Sequence, residues 1–469
     1  MEVAALEKLV KQLLVEQLGT KIDPIKKAAP AGARSGVFET VDEAIAGAKK
    51  AQKEFAKLRL EDRKKAIDAV REAMLLQVEA MAQRAYEETG LGNVADKINK
   101  HKLAIEKTPG VEDLVTGIQT GDHGMTIYEL SPYGVIGALT PSTNPTETII
   151  CNAIGMLAAG NAVCFGVHPS AKNSCLVVIE QLNIVLKEAI GIENLIVTIN
   201  QPSIKSAEEL MTHSDVSLLV VTGGPGVVRA AMGSGKKVIA AGAGNPPVIV
   251  DETANIEKAA SDIVSGASFD NNILCIAEKS IVAVASIADF LMFQMEKNNA
   301  FFLKNEADIK KLVDLVTIDQ KSINGKYIGK SATEILKAAN IDCDFSPRLI
   351  VFEATKDHLL AKHEQLMPVI PFIRVNDFDE AFDVALEIEK GYGHTAVLHS
   401  QNISRLNRAA RDFQTAIFVK NGPSYAGLGF GGEGAATFTI STPTGEGTTT
   451  ARHFAKTRRC VLTDGFTIR

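Results

Sequence analysis

A single cysteine, Cys275, stands in a setting that suits a nucleophile. It follows a helical stretch and a polar, asparagine-rich turn within the segment from Gly266 to Lys279. A lone cysteine is more often a small buried hydrophobe. A thiolate nucleophile, however, needs nearby hydrogen-bond donors and an open approach, and a turn supplies both. The residues alone therefore leave Cys275 two interpretations, a core residue and a catalytic thiol.

A second chemical feature is the turn from Pro141 to Pro145, which follows a β-rich run ending at Leu139–Thr140. A strand-to-helix turn presents free backbone N–H groups, and the helix dipole favours anionic groups there. Asn144 in this turn carries an amide that could donate to a developing oxyanion. The alternative is that Asn144 caps the helix, and the residues alone favour neither role.

Two further turns also follow β-rich runs. The turn Thr222–Gly226 contains glycines, which let a backbone or a ligand approach closely, although it does not match the dinucleotide-binding GxGxxG pattern. His168, Pro169 and Ser170 end another run. A lone histidine at a helix start is usually an ordinary loop residue, so neither turn predicts a ligand by itself.

The elements that must position these turns follow from an alternation of patterns along the chain. β-rich runs lie at 134–139, 162–166, 195–199, 216–221 and 237–240, and helical runs lie near 146–159, 171–189, 206–213 and 226–232. Such alternation predicts a parallel sheet covered by helices, a Rossmann-like domain. A charge-rich helical region begins at Thr40, a good helix cap, and a second α/β pattern starts at Pro247. Short runs at 460–463 and 466–468 could be strands that pair outside their own domain.

The first 18 residues predict an amphipathic helix. Apolar residues recur at roughly helical spacing, at Val3, Leu6, Val10, Leu13 and Leu18. Residues 19–35 then form a linker rich in proline, glycine and alanine, which favours a tethered helix. The alternative is an extra helix docked on the body of the protein.

Composition excludes several classes of protein. The chain has 469 residues, of which 46% are hydrophobic and 23% charged, and these values predict two large globular domains. The formal charge of -6 comes without a basic block, so we expect no nucleic-acid partner. Six cysteines without a CxxC pair indicate neither a metal site nor a disulfide framework, and they fit a reducing cytosol. We expect no secretory signal and no membrane span, because no apolar run reaches about 18 residues.

Six strings together resemble the aldehyde dehydrogenase superfamily, over nearly the whole chain from about residue 36. They are TPSTNP at 140–145, VTGG at 221–224, AAGAGNPP at 240–247, ASFDNNILC at 267–275, VKNGP at 419–423 and PTGEG at 443–447. More narrowly, the chain is similar to the CoA-acylating propionaldehyde and ethanolamine-utilisation enzymes of bacterial microcompartments. The resemblance implies an α/β fold with a Rossmann-like cofactor domain, an α/β catalytic domain and a small β oligomerisation element.

The resemblance also implies roles for individual residues. Cys275 would add to a small aldehyde, and the Asn144 amide with the Cys275 N–H would hold the oxyanion. The implied contacts to NAD are Thr140, Pro141, Ser142, His168, Pro169, Gly223, Gly224, Val227, Gly242 and Glu364, the last at the nicotinamide ribose. Many relatives carry a lysine where this chain has His168, which leaves the choice between NAD and NADP open.

The lack of one glutamate is equally informative. Hydrolytic aldehyde dehydrogenases carry a glutamate that activates water against the thioester, and alignment on Pro247 puts Ala241 at that position. A positioned base is worth about 10²–10⁴-fold, so without it the thioester survives for the thiol of CoA. The alanine at this position therefore agrees with the CoA-acylating branch of the aldehyde dehydrogenase superfamily. His394 matches a histidine of related acylating enzymes and could take the CoA proton, and a structural role is the alternative.

These features predict an NAD-dependent, CoA-acylating dehydrogenase of propionaldehyde or acetaldehyde. The expected parts are an encapsulation-type helix at 1–18, a linker at 19–35, an NAD- and CoA-binding domain at 36–246 interrupted by an oligomerisation strand near 124–132, a catalytic domain at 247–440, and a C-terminal oligomerisation segment at 441–469. The resemblance implies a homodimer or homotetramer in a microcompartment lumen, with the N-terminal helix on shell or cargo. Two rivals are a hydrolytic dehydrogenase and an inactive scaffold protein.

Overall fold

The computed structural model describes residues 34–468. The predicted helix at 1–18 and nearly all of the predicted linker lie outside the described residues. The strands, numbered along the chain, are β1 (Val37–Phe38), β2 (Gly117–Gly121), β3 (Gly124–Pro132), β4 (Val135–Leu139), β5 (Ala162–Gly166), β6 (Ile196–Ile199), β7 (Val216–Thr222), β8 (Lys237–Ala241), β9 (Pro247–Val250), β10 (Ser280–Val284), β11 (Ala300–Leu303), β12 (Thr317–Ile318), β13 (Ser322–Ile323), β14 (Leu349–Glu353), β15 (Val369–Val375), β16 (Thr395–His399), β17 (Ile417–Lys420), β18 (Ile440–Ser441), β19 (Gly447–Thr448) and β20 (Ala455–Thr463).

The α-helices cover both large sheets, and several of them begin directly after the turn that ends a strand. They are α1 (Val41–Phe55), α2 (Leu60–Leu75), α3 (Val78–Thr89), α4 (Val94–Lys107), α5 (Pro145–Ala158), α6 (Lys172–Ile190), α7 (Ile204–Thr212), α8 (Pro225–Met232), α9 (Ile256–Ser268), α10 (Ala285–Lys297), α11 (Glu306–Val316), α12 (Ala332–Ala338), α13 (Leu359–Lys362), α14 (Phe378–Glu389) and α15 (Ile403–Asp412). The predicted cap at Thr40 is confirmed, because its side chain accepts from the Glu43 N–H in a reciprocal capping box.

The first sheet has six parallel strands in the order β1-β6-β5-β4-β7-β8. The predicted alternation of strands and helices is confirmed here, with ends that differ by one or two residues. Starting from β4, the chain adds β5 and then β6 on one side of the sheet, and it then adds β7 and β8 on the other side of β4. The strand order therefore reverses between β4 and β7. Ligands of open parallel sheets bind at the carboxyl ends of the strands beside such a reversal.

The second sheet has seven strands in the order β11-β14-β15-β10-β9-β16-β17, again all parallel. Its central strands β9 and β10 are buried along their whole length, and in β15 every residue but Arg374 is buried, as expected for a parallel sheet with helices on both faces. The helix α9 crosses from β9 to β10, and its carboxyl end leads into the turn before Cys275. The α/β class predicted from the sequence is confirmed by these two sheets.

A third sheet is antiparallel and small, in the order β2-β3-β20. The strand predicted at 460–463 is confirmed as the end of β20, which pairs with β3 over its whole length. The strand predicted at 466–468 is wrong. Asp464 and Phe466 have positive φ angles, of 55° and 62°, and these turn the chain away from the ladder. Within residues 34–468, no helix combines the length and the apolar character needed to cross a lipid bilayer.

Candidate active site

A cleft of about 760 Å³ opens at the carboxyl ends of strands β4 to β8. Twelve of the thirteen site residues predicted from the sequence line it, and they are Thr140, Pro141, Ser142, Asn144, His168, Pro169, Gly223, Gly224, Val227, Gly242, Cys275 and Glu364. The exception is His394, which is fully buried and is not among the described residues that line the cleft. The cleft therefore joins the reversal point of the first sheet to the turn that carries Cys275.

The turn before Cys275 has an unusual backbone. Asp270, Asn271 and Asn272 have φ angles of 47°, 54° and 64°, so three consecutive residues lie in the left-handed region. Aspartate and asparagine tolerate this region better than other residues with a side chain, but each such residue still carries some strain. The asparagine-rich composition seen in the sequence is thus the composition that this turn requires.

Side chains of the turn hold it in this shape. The Asn271 amide donates to the carbonyls of Gly92 and Gly329, at 3.0 and 2.9 Å. The Asn272 amide donates to the carbonyls of Ala267 and Glu278, at 2.7 and 3.0 Å. These bonds connect the turn to the segments before and after it, so the position of Cys275 is fixed from both sides.

The surroundings of Cys275 oppose ionisation of its thiol. Burial and the charge of Glu364 raise the pKa of Cys275 to about 12, although the Lys279 ammonium and the N–H groups of Cys275 and Ile276 act in the other direction. At neutral pH the side chain is therefore a thiol, and its proton has to leave when the sulfur attacks. The side chain is partly exposed and borders the cleft, so a small molecule can reach the sulfur.

Lys279 is a site residue that sequence reasoning missed. Its fully buried ammonium donates to the carbonyls of Asn272 and Leu274, at 2.9 and 3.0 Å, and also to the side chain of Asn272. Burial lowers the pKa of Lys279 and raises the pKa of Glu364, while each charge favours the other. One signal in the sequence could have identified Lys279. It stands directly before the apolar run that forms β10, and a charged side chain at a buried position needs a hydrogen-bond or ionic partner.

Asn144 occupies the N-cap position of α5, but its side chain turns elsewhere. The buried Lys100 ammonium donates to Asn144 Oδ1 at 2.6 Å, and Asn144 Nδ2 donates to Thr143 Oγ1 at 3.2 Å. Lys100 in turn pairs with Asp270 at 2.5 Å and with Glu147 at 3.2 Å. The capping interpretation of Asn144 is therefore wrong, and the amide belongs to a buried ionic cluster beside the cleft.

The glycine turn after β7 suits the close approach of a ligand. A Cβ at Gly223 would lie 2.8 Å from the Val227 side chain, whereas a Cβ at Gly224 would meet no described atom within 4 Å. Gly224 is the N-cap of α8, and because Pro225 has no N–H, the first helical N–H groups able to bind an anion are those of Gly226 and Val227. Thr140 Oγ1, after β4, is buried with no hydrogen-bond partner in the described chain. This edge of the cleft therefore fits a dinucleotide cofactor.

Ala241 lines the cleft, whereas His394 is buried beside Gly244. Ala241 ends β8 and lines the cleft, in the place where a hydrolytic base was expected to be missing. A Cβ at Gly244 would lie 2.8 Å from the His394 ring and 3.0 Å from the Cys275 carbonyl. Burial and the Lys279 charge lower the pKa of His394 to about 4, so its ring is neutral at pH 7. Its Nε2 has no hydrogen-bond partner within residues 34–468.

The fold joins a cleft at a sheet reversal, a place where parallel sheets bind ligands, to a turn that brings a cysteine to the wall of that cleft. Within the described residues, no group of histidine, cysteine and acidic side chains could hold a metal ion. A model of the aldehyde dehydrogenase family matches residues 15–449. The chain therefore belongs to the aldehyde dehydrogenase family.

Individual relatives are closely similar over their full length. The propanal dehydrogenase (CoA-propanoylating) of Salmonella typhimurium is 50% identical over 471 residues, which cover 100% of both chains. A propionaldehyde dehydrogenase of Rhodopseudomonas palustris, solved with bound CoA and an acylated cysteine, is 50% identical with a TM-score of 0.91, over 92% of this chain and 99% of that one. A propionaldehyde dehydrogenase from the Clostridium phytofermentans fucose utilisation bacterial microcompartment is 46% identical with a TM-score of 0.91, over 93% and 100% of the two chains.

Proposed function

We propose that this protein is a CoA-acylating aldehyde dehydrogenase that converts propionaldehyde or acetaldehyde, CoA and NAD to the acyl-CoA and NADH. The observation that carries the proposal is the pairing of Cys275 with Ala241 on the wall of one cleft. The cysteine can hold an acyl group, and the alanine provides no base to hydrolyse it. The similarity to the CoA-propanoylating enzyme of Salmonella typhimurium supports the same reaction.

Cys275 and Asn144 carry out the first half of the reaction. The Cys275 thiol gives up its proton to solvent in the cleft, and the sulfur attacks the aldehyde carbon, so that the carbonyl oxygen becomes the oxyanion of a thiohemiacetal. The Asn144 Nδ2 and the Cys275 N–H donate to that oxyanion, where preorganised donors are worth most. When bound, NAD supplies the hydride acceptor for the carbon–hydrogen bond. The acyl group is left on the Cys275 sulfur as a thioester.

The cofactor would be held by the residues along the carboxyl edge of the first sheet. Thr140, Pro141 and Ser142 follow β4, and His168 and Pro169 follow β5. Gly223 and Gly224 form the turn into α8 and Val227 lies in its first turn, while Gly242 follows β8 and Glu364 lies close enough to Cys275 to raise the pKa of its thiol. Burial lowers the pKa of His168, so its ring offers the extra phosphate of NADP less positive charge than a lysine would.

CoA completes the reaction in the same cleft. Its thiol loses a proton and attacks the thioester carbon, and the Cys275 thiolate leaves. His394 is the proposed acceptor for this proton, since its neutral ring carries an unpaired Nε2. Because His394 is fully buried and does not line the described cleft, the proton would reach it through a relay rather than by direct contact with CoA.

The requirement for CoA tests this proposal directly. Without CoA, purified protein should release at most one NADH per site and then stop, because the thioester is not hydrolysed. Addition of CoA should restore steady turnover and give acyl-CoA.

Cys275→Ala should abolish both phases of NADH release while NAD binding stays largely unchanged, since only this thiol carries the acyl group. Cys343→Ala, a cysteine outside the cleft, is the matched control. Continued NADH release without CoA would favour the hydrolytic rival, and no NADH at all would favour the scaffold rival.

We also propose that residues 1–18 direct the protein into the lumen of a bacterial microcompartment, by contact with shell or cargo. The apolar stripe in the sequence and the origin of the similar Clostridium phytofermentans enzyme support this placement. Deletion of residues 1–18 should leave the activity of the purified enzyme nearly unchanged, while a fluorescent fusion becomes diffuse in the cytosol. Polar replacement of Leu6, Val10 and Leu13 should have the same effect. Loss of folding or activity on deletion would instead make the segment part of the enzyme body.

We further propose that the protein is a homodimer or homotetramer assembled through the small antiparallel sheet. Strand alternation and register place Ile118, Met125, Ile127, Cys460 and Leu462 on one face of this sheet. Ile118 and Leu462 are 60% and 46% exposed, which is unusual for such an apolar group. A second copy of the chain would cover this face.

A further inference from the structure

The helix α4 carries two buried lysines into the core beside the cleft. Lys97 and Lys100 are each only 1% exposed, and they lie one helical turn apart on the same face. Both ammonium groups pair with the same carboxylate, that of Asp270, at 3.2 and 2.5 Å. Buried charges of this kind are costly unless they are paired, so the cluster needs all of its members.

Only one of the two lysines reaches the proposed oxyanion donor. The Lys100 ammonium lies 2.6 Å from Asn144 Oδ1, whereas the Lys97 ammonium, in the described chain, contacts Asp270 but not Asn144. Burial opposes the charge on Lys100, but Asp270 and Glu147 outweigh it and raise the pKa of Lys100. Lys100 is therefore an ammonium group at neutral pH.

The Lys100 contact fixes the orientation of the Asn144 side-chain amide, that is, which side its oxygen and its NH₂ group face. An ammonium group can only donate, so the amide atom that faces it must be the oxygen. The NH₂ group then points away from Lys100. One of its hydrogens goes to Thr143 Oγ1 at 3.2 Å, and the other is left for the cleft that Asn144 lines.

The same cation also reaches the turn of the nucleophile. Asp270 begins the left-handed turn before Cys275, and its second oxygen accepts from the Asn93 N–H at 2.7 Å. Lys100 thus contacts the donor of the oxyanion site on one side and the nucleophile turn on the other. A single buried group sets the position of both relative to α4.

We propose that Lys100 is a positioning residue that holds the Asn144 amide with its NH₂ group directed at the oxyanion. The inference rests on the oxyanion role proposed for Asn144. Lys100 does not touch the reacting atoms. It acts on the oxyanion site through Asn144, whereas its contact with Asp270 in the nucleophile turn is shared by Lys97, so the Lys97 variant controls for that second contact. Loss of Lys100 frees the Asn144 amide to rotate, so that the oxygen faces the oxyanion for part of the time.

The test is a double-mutant cycle between Lys100→Met and Asn144→Ala, with Lys97→Met as the matched control. Methionine keeps most of the side-chain volume and removes the charge. Lys100→Met should lower kcat by about tenfold or more, but by no more than Asn144→Ala, since loss of one oxyanion donor costs about 10²–10³. KM for the aldehyde should change little. Lys97→Met removes a buried charge from the same cluster, so it should lower the unfolding temperature to a similar extent but change kcat much less.

The cycle separates positioning from a structural role. In the Asn144→Ala background, Lys100→Met should cause no further loss of kcat, because the group on which it acts is gone. A loss of equal size in both backgrounds would overturn the proposal, and so would an equal fall in kcat from Lys97→Met. An Asn144→Ala variant with unchanged kcat would instead refute the oxyanion role itself.

A second substitution covers the case in which Lys100→Met does not fold. Lys100→Gln is shorter and neutral but still carries an NH₂ donor, so it should retain part of the amide orientation and lose less kcat than Lys100→Met. Failure of both Lys100 variants to fold, while Lys97→Met folds, would show that Lys100 is required for structure and would overturn the positioning role.

Discussion

At the scale of single residues, the surroundings of Cys275, the proposed nucleophile, favour the protonated thiol. The pKa of about 12 makes Cys275 a thiol at rest, which protects it from adventitious oxidation because thiolates are the reactive form. The nearby Lys279 ammonium, bonded to the turn that carries the cysteine, stabilises the thiolate once it forms. Glu364 acts in the opposite direction, so the charge state of the Lys279–Glu364 pair decides how readily the sulfur ionises.

The residue that separates acyl transfer from hydrolysis should be Ala241. It lines the cleft and is only 4% exposed, so a longer side chain there would point into the site. Ala241→Glu should allow NADH release to continue without CoA, because the new carboxylate can activate water against the thioester. The gain could approach the roughly 10²–10⁴-fold that a positioned base provides. The measurement is the rate of free acid formation in the absence of CoA.

Ala241→Gln is the control for this substitution, since it has nearly the same size but cannot act as a base. Any distortion of the cleft by the longer side chain should appear equally in both variants. If the glutamate and glutamine variants form free acid at the same rate, the missing base is not what distinguishes the two reactions.

At the scale of elements, the turn before Cys275 shows how local strain can be offset by local bonds. Three left-handed residues in succession are unfavourable, yet the Asn271 and Asn272 amides each donate to two backbone carbonyls. Gly92 permits this arrangement, because a Cβ there would lie 1.9 Å from the Asp270 carboxylate. The turn is therefore built by segments far apart in sequence, which a rigid site requires.

Five of the six strands of the first sheet were predicted, because buried parallel strands are short apolar runs with clear boundaries, whereas for the second sheet the sequence predicted only an α/β pattern from Pro247 onwards. The cleft was predictable as well, since the turns after β4, β5 and β7 had to meet at one edge of the sheet. The ionic cluster around Lys100 was not. Lys97 and Lys100 look like solvent-facing residues of a charge-rich helix, and only tertiary packing pairs them with Asp270 and Asn144. His394 was expected at the cleft, but its local sequence carries no information about the tertiary packing that buries it beside Gly244.

At the scale of the whole described chain, the two parallel sheets contribute different residues to the proposed site. The first sheet supplies the cofactor edge and Asn144, while the segment between β9 and β10 of the second supplies Cys275. The helix α4 connects them, since its lysines reach a residue beside each. The small antiparallel sheet takes no part in this, because none of its residues is among the described residues that line the cleft.

The small sheet should therefore control assembly without controlling chemistry. Ile118→Glu with Leu462→Glu places two carboxylates on its apolar face, where burial against a second copy would be strongly unfavourable. We expect the double variant to have a smaller mass than the wild-type protein in sedimentation or light scattering, while its initial turnover per active site stays nearly the same.

Gln119→Glu with Val461→Glu is the control, because register and alternation place these residues on the opposite face of the same strands. Dissociation by the control pair alone would show that the other face carries the interface. An unchanged mass in both variants would mean that the protein assembles through another surface.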